Sequence, residues 1–231
     1  MNRRELFRRL LQGSAATALL SLAGCQFFKP PQMEIVDTDY LTGFDTDSFF
    51  LSPLFFERPP RRIVTLWAVG GATSDQLQAQ FAEQLTNQFR QSRIAEMVLD
   101  KRMSGCHCDL NAILHGTFNE YDMLEVTTDY QADSLMLTRV NAFDAVWPMS
   151  MSATAVLIDR NDAIVTVAAD GHWNLRVPEL GRAYQSYNKH FSSDLNQRLV
   201  EANLRSPLQF QSFVAWQIAS VVAEHKQQYC G

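Results

Sequence analysis

The sequence has no apolar run long enough to form a membrane-spanning helix. Its N-terminal candidate, residues 10–22, has 13 residues and includes Gln12, Gly13 and Ser14, whereas a spanning helix needs about 20 apolar residues. A long basic run is also missing after the first residues, and the formal net charge is −5. These absences argue against a permanent transmembrane anchor, against nucleic acid as a partner, and against charge-driven binding to anionic lipid.

Short catalytic signatures are missing as well. The sequence contains neither GxSxG nor HExxH, the patterns of many hydrolases and zinc proteases. Gly70-Gly71 lacks both the dinucleotide-binding pattern and the GK[ST] ending of a phosphate loop. The histidines are scattered: His107, His115, His172, His190 and His225. We therefore expect no enzymatic activity and no cofactor.

Four aspartates lie near predicted strand ends, where paired carboxylates can act as acid and base. They are Asp133, Asp159, Asp162 and Asp170. Aspartates that form turns and terminate strands are far commoner than catalytic pairs. The sequence therefore favours a structural interpretation of these side chains.

Few cysteines follow residue 25, namely Cys106, Cys108 and Cys230. In an exported protein disulfides persist, and three cysteines allow one pair and one spare thiol. A bond from Cys230 to either Cys106 or Cys108 would tie the C-terminal end to the domain. Cys106-His107-Cys108 is also a metal candidate, but adjacent ligands in one short run rarely close a tetrahedral site. We therefore expect no metal.

The N-terminal segment has the parts of a bacterial export signal. A basic head, residues 2–9, precedes the short apolar run, and small residues come before a break. That break, Leu22-Ala23-Gly24-Cys25, resembles the lipobox of bacterial lipoproteins. The resemblance implies cleavage before Cys25 and acylation of Cys25 with palmitate-type chains, and two or more such chains hold a protein stably on a membrane.

The export route stays open, because Arg3-Arg4 fits a twin-arginine signal and the basic head of a general secretory signal equally well. In lipoproteins of Gram-negative bacteria, Asp after the lipidated cysteine is linked with inner-membrane retention. Gln26 stands at that position here. We therefore expect a lipid-anchored protein of the cell envelope, on the outer membrane and facing the periplasm.

Composition and the positions of the proline pairs divide the chain into three parts. We expect a signal peptide over 1–24, the lipidated cysteine and a linker over 25–60, and a single domain over 61–231. The proline pairs at 30–31 and 59–60 indicate extended linker. Residues 49–56 are too rich in phenylalanine for a free tether, and we expect them to pack back onto the domain.

Hydrophobic periodicity predicts the elements of that domain. Strands are expected over 63–69, 97–99, 134–143, 152–159 and 163–170, and helices over 74–92, 119–131 and 181–201 and from 206 onward. Thr73 with Gln76 fits a capping box, and Ser206 fits the cap of the last helix. The pattern predicts an α+β (α/β-like) domain, a mixed sheet of about five strands backed by helices.

Several segments resemble known families. Arg62–Trp67 followed by a capped helix is similar to the opening of the domain shared by the curli-secretion lipoprotein, the penicillin-binding-protein activator lipoprotein and the TolB N-terminal domain. A closer resemblance, to a further group of bacterial envelope lipoproteins, rests on five segments: 132–140, 147–148, 157–159, 168–173 and 206–210. Val167 departs from the tryptophan that this group has before Ala-Ala-Asp. The resemblance implies an envelope lipoprotein that binds or assembles other components.

We therefore expect a membrane-anchored binding or assembly factor, held by acylated Cys25 and acting on an unidentified envelope protein. The expected partner surface is Trp147, Pro148 and Met149, with residues 49–56, because aromatic residues and methionine are common at interfaces. The competing interpretation is that these residues simply cover the core of the domain itself. A periplasm-facing enzyme or small-molecule carrier on the same tether is the alternative function.

Overall fold

The computed structural model describes residues 49–68, 73–100, 120–191 and 202–230. The strands are β1 (Phe49–Leu51), β2 (Arg62–Trp67), β3 (Glu96–Leu99), β4 (Ser134–Asp144), β5 (Ser150–Asp159) and β6 (Val165–Asn174). The helices are α1 (Leu54–Glu57), α2 (Asp75–Gln91), α3 (Glu120–Asp129), α4 (Pro178–Phe191) and α5 (Pro207–Cys230).

One mixed sheet contains these six strands in the order β1-β6-β5-β4-β2-β3. β4, β5 and β6 form an antiparallel meander, and β1 pairs antiparallel with β6. β2 lies parallel to both β3 and β4, and α2 provides the crossover that parallel β2 and β3 require. The predicted α+β fold with a mixed sheet is confirmed, with six strands rather than about five.

The additional strand is β1, which lies in the segment assigned to the linker. Phe49 pairs with Ala169 and Leu51 with Val167. Phe49 and Leu51 pack against the main core, and Phe55 of α1 is buried within it. The phenylalanine-rich segment therefore packs onto the domain as expected, because its apolar side chains alternate toward the same face of the sheet.

The main core lies on one face of the sheet, beneath α2, α4 and α5. Its largest fully buried side chains include Phe81 and Leu85 of α2, Tyr184 of α4, and Phe210 and Phe213 of α5. Trp173 of β6 belongs to the same cluster. The spacing of three and four residues along these helices places their apolar side chains on one face, which the sheet covers.

A smaller core lies on the opposite face. Met123 of α3 packs there with Leu135 and Leu137 of β4 and with Val156 and Ile158 of β5. These strand residues alternate with members of the main core, so one end of the sheet is apolar on both faces. The other end of this face is polar.

Helix starts differ in part from the predicted ones. α2 is capped by Ser74, whose Oγ accepts from the Leu77 N–H at 3.4 Å, and not by Thr73 as predicted. The Thr73 hydroxyl instead donates to the Val140 carbonyl at 2.9 Å. Ser206 caps α5 as predicted, since its Oγ accepts from the Gln209 N–H at 3.3 Å.

Other boundaries shift by a few residues. β6 continues to Asn174 and α4 begins at Pro178, whereas the pattern predicted an end at 170 and a start at 181. The part of the predicted helix over 192–201 lies outside the described residues. Within the described ranges, no helix combines the length and the apolar composition needed to cross a membrane.

Candidate functional site

The loop of the β4–β5 hairpin exposes apolar side chains at one end of the sheet. Val146 is 73% exposed and Trp147 is 45% exposed, while Pro148 is half-buried. Met149 is fully buried and belongs to the main core. The predicted partner surface is therefore wrong at Met149, because this residue, immediately before β5, is buried in the same core as Met151 two residues later.

A second loop brings another exposed apolar side chain to the same end. The Leu175 N–H donates to the Met149 carbonyl at 3.0 Å, which holds the turn after β6 beside the hairpin loop. Val177 in that turn is 46% exposed. We call Val146, Trp147 and Val177 the apolar tip.

A row of polar side chains crosses the sheet on the face opposite the main core. We call it the polar half-face, and its members are Arg139, Asn141, Ser152, Thr154, Asp170 and His172. The Asn141 amide donates to Thr154 Oγ1 at 2.9 Å, and the Thr154 hydroxyl donates to Asp170 Oδ1 at 2.6 Å. Three neighbouring strands are thereby joined by side-chain hydrogen bonds.

The polar half-face continues the face that α3 covers at the other end. Along β4, Leu135 and Leu137 are buried beneath α3, and Arg139 is the next residue on that face. Asp170 and His172 are exposed, and Phe50, which pairs with Ala168, is 52% exposed beside them. Arg139 Nε is buried and has no hydrogen-bond partner in the described part of the chain.

Sequence patterns contain a signal for this surface that our prediction did not use. Polar residues recur at every second position at the hairpin-side end of three successive strands, in the pairs 139/141, 152/154 and 170/172. Alternation of this kind is ordinary for a solvated sheet face. The hydrogen-bonded connection between the strands becomes visible only with the register.

The polar half-face does not form a nucleophile–base pair. Ser152 lies directly opposite His172 in the ladder, but no hydrogen bond joins their side chains among the described contacts. Asp170 accepts from Thr154 rather than orienting His172. A serine relay needs the base bonded to the nucleophile and oriented by a third group, so this arrangement fits hydrogen bonding to a ligand better than acyl transfer.

The other three aspartates have structural roles. The Asp133 carboxylate accepts from the N–H groups of Arg61 and Arg62 at 2.9 and 3.2 Å, which fixes the start of β2 against β4. Asp159 Oδ1 accepts from the Asn161 N–H at 2.7 Å within the β5–β6 turn.

Asp162 forms an ion pair with Arg58 at 2.9 Å. Asp133 and Asp159 line an open cleft of about 310 Å³, where their oxygens are used by these backbone contacts.

Several predicted site residues cannot be placed. Cys25, Cys106 and Cys108 lie outside the described residues, and so do His107 and His115. Cys230 ends α5, but its side chain is not described. Lipidation and the disulfide remain predictions. Within the described ranges, no group of three or more His, Cys, Asp or Glu side chains is placed to hold a metal ion.

Comparison with known proteins yields distant structural likenesses alone. No family model matches the chain, and no curated protein matches it. A PelC dodecamer from Paraburkholderia phytofirmans is 15% identical, with 58% of this chain and 88% of that chain covered and a TM-score of 0.40. Lipoprotein GNA1162 from Neisseria meningitidis is 11% identical, with 59% and 100% covered and a TM-score of 0.36.

The hypothetical protein CT253 from Chlamydia trachomatis is 13% identical, with 72% and 95% covered and a TM-score of 0.35. One of these proteins is named a lipoprotein. Similarities of this size assign neither a family nor an activity to this chain.

Proposed function

We propose that the chain is a lipid-anchored envelope lipoprotein that binds another envelope component through the polar half-face. The anchor follows from the lipobox-like segment ending in Cys25. The observation that carries the binding role is the hydrogen-bonded row that runs from Asn141 through Thr154 to Asp170. The function is binding or assembly rather than catalysis.

The row is fixed before any partner arrives. Thr154 is only 7% exposed and is hydrogen-bonded on both sides, so Asn141 and Asp170 are oriented by a buried neighbour. Prearranged polar groups lose little conformational freedom on binding, which favours affinity. Asp170 and His172 remain exposed and provide the outward hydrogen-bonding groups.

The composition of the surface suits a polar partner. Arg139 contributes a guanidinium whose Nε lacks a partner among the described residues, and Asp170 contributes a carboxylate. Phe50 adds an exposed aromatic ring at one side. Arginine and aromatic residues are enriched at interfaces, so the surface offers both hydrogen bonds and an apolar contact to the component that it binds.

Site-directed photocrosslinking in intact envelopes tests this proposal. A crosslinker at His172 should give a reproducible product, and one at Leu208, an exposed residue of α5, should not. Asp170→Lys should abolish the His172 product because it reverses a charge within the row. Glu83→Lys, the same reversal at an exposed residue of α2, should leave the product intact.

Equal crosslinking from His172 and Leu208, or none from His172 in a properly anchored chain, would contradict the proposed binding face. A small molecule that copurifies with the domain and is lost in Asp170→Lys would support the carrier alternative instead.

A further inference from the structure

We infer that the apolar tip rests on the lipid bilayer in which the chain is anchored. The inference rests on the anchor of the proposed function and concerns a different surface from the polar half-face. The tip contains Val146, Trp147 and Val177, which are 73%, 45% and 46% exposed. The orientation that follows places the hairpin end of the sheet against the membrane.

The three side chains lie at the same end of the sheet. Two separate loops carry them, and the hydrogen bond from the Leu175 N–H to the Met149 carbonyl holds these loops together. Met149 and Leu175, directly behind the tip, are buried in the main core. The loops that carry the tip are therefore fixed to the packed core.

The N-terminal side of β1 points toward the end of the sheet that carries the apolar tip. β1 runs antiparallel to β6, with Phe49 opposite Ala169 and Leu51 opposite Val167. The N-terminal side of Phe49 therefore faces the end of β6 at Asn174, where the tip lies. Residues 26–48 separate Cys25 from Phe49, and 23 residues span at most about 80 Å, so the tether reaches a bilayer at the tip.

Apolar contact, and not charge, provides the attraction. Tryptophan combines an apolar ring with a polar N–H and is enriched at membrane–water interfaces. The charged groups around the tip have opposite signs: Asp144 accepts from the Val146 N–H at 3.0 Å, Arg176 precedes Val177, and Glu179 pairs with Arg182 at 3.3 Å. A locally balanced tip on an acidic chain gains little from anionic lipid headgroups.

The small size of the tip favours a bilayer over a protein partner. A stable protein interface buries at least about 1,000 Å² in total, which three partly exposed side chains do not supply. A weak membrane contact needs no such area when a tether keeps the tip at high effective concentration near the bilayer. The small contact area and the anchor together therefore favour the lipid surface as the binding partner of the tip.

Tryptophan fluorescence in proteoliposomes tests the inference. The full acylated chain is reconstituted into vesicles of phosphatidylethanolamine and phosphatidylglycerol whose acyl chains are brominated, and Trp147→Phe serves as the blank. Of the other three tryptophans, Trp67 and Trp173 are buried within the domain and Trp216 is half-buried against the main core. All three are also present in the blank, so the difference isolates Trp147. We expect the Trp147 emission, taken as the difference from the blank, to shift to the blue and to be lost by bromine quenching.

A matched control places the same probe at the other end of the sheet. Ile164, 43% exposed beside the β5–β6 turn, is changed to tryptophan (Ile164→Trp) in the Trp147→Phe background. This emission should stay unquenched. Acyl labelling of Cys25 in the same preparation reports the anchor separately.

The outcomes are distinguishable. Labelled, vesicle-bound chain with unquenched Trp147 overturns the inference and leaves the anchor standing. Equal quenching at positions 147 and 164 also overturns it, since the domain would then have no preferred orientation. Absence of acyl label on Cys25 overturns both the anchor and the inference. Protection of Trp147 from lipid and from aqueous iodide alike would identify a protein contact instead.

Discussion

Gln78 of α2 binds both backbone groups of Val140 in β4. Its Oε1 accepts from the Val140 N–H at 2.7 Å, and its Nε2 donates to the Val140 carbonyl at 2.8 Å. β2 pairs with β4 as far as Thr138, where the carbonyl accepts from the Ala68 N–H. The side-chain amide therefore replaces a neighbouring strand at the point where β4 begins its bulge.

Removal of this amide should destabilise the domain. Gln78→Leu leaves the buried Val140 N–H without a partner, whereas the Val140 carbonyl keeps the Thr73 hydroxyl. A buried unsatisfied group of this kind costs about 1–3 kcal/mol. Chemical denaturation should show a lower free energy of unfolding. Gln76→Leu, an exposed neighbour on the same helix, should change it by less than about 0.5 kcal/mol. Equal effects of the two variants would show that the bulge does not depend on Gln78.

The glycine beside Trp173 provides a second test. A Cβ on Gly171 would lie 2.8 Å from Cη2 of Trp173, so the ring would have to move. The Trp173 Nε1–H donates to Gln217 inside the core, and displacement would strain that bond as well. We expect Gly171→Ala to lower stability by about 1–3 kcal/mol, as overpacking does.

Gly181→Ala is the matched control, because a Cβ there would meet the Leu175 carbonyl oxygen at an ordinary 3.4 Å. Gly181 lies within α4, where alanine is favoured by up to about 1 kcal/mol. Thermal melting should therefore move in opposite directions for the two variants. A shift in the same direction would contradict the packing around Trp173.

Capping of α5 by Ser206 predicts a graded loss. Ser206→Ala should cost about 1 kcal/mol, since the Gln209 N–H loses its acceptor. Ser206→Gly should lower the stability by only a few tenths of a kcal/mol, about 0.3. Melting temperatures of the two variants measure this difference, and identical values to the unmodified chain would place the start of the helix elsewhere.

Alkaline pH should weaken the core through its tyrosines. Burial raises the pKa of Tyr184 from 10.0 to about 12, and burial also raises the pKa of Tyr187. Because the folded pKa lies above the unfolded one, the stability that these groups contribute is complete below about pH 10 and is lost as pH rises toward the folded value. The slope is about 1.4 kcal/mol per pH unit for each tyrosine.

Tyr184→Phe should flatten that slope between about pH 10 and 12. The variant also loses the hydrogen bond from the Tyr184 hydroxyl to the Asn203 carbonyl, so its stability at neutral pH is lower. Denaturation curves over the alkaline range separate the two effects. Parallel pH profiles for the variant and the unmodified chain would show that ionisation of Tyr184 does not govern alkaline unfolding.

Lipidation predicts a precursor that cannot be processed. Cys25→Ala should retain residues 1–24 and should take up no radioactive palmitate, because the thiol that becomes acylated is absent. Cys230→Ala keeps that thiol and should be processed and labelled normally. Labelling and cleavage of Cys25→Ala at the usual position would contradict the lipobox interpretation.

Local patterns in the sequence predict most of the sheet and helices. The predicted strands over 134–143 and 152–159 match β4 and β5 closely. Over the half of the sheet that α3 covers, both strands are buried on both faces. Thr73 and Ser74 are both good caps, and the choice between them depends on Val140, 67 residues away. No local rule contains that information.

Long-range placement also explains what the sequence did not predict about the sites. The β1–β6 pair joins Phe49 to Ala169, which is far away in the sequence. Because this pairing partner is distant, the sequence predicted a packed linker at Phe49–Leu51 rather than a strand. Trp147 and Met149 are two residues apart, yet the first is exposed and the second is fully buried. The polar half-face requires the register of three strands, which no single strand encodes.

The position of β1 has a mechanical consequence for a tethered domain. A pull on the tether along the strand axis loads the β1–β6 hydrogen bonds in parallel, as a shear across three residue pairs. The short helix α1 follows β1, and the burial of its Phe55 in the core fixes this segment to the domain. In the proposed anchored state, tension between membrane and domain is therefore resisted by several bonds at once, rather than opening the sheet one bond at a time.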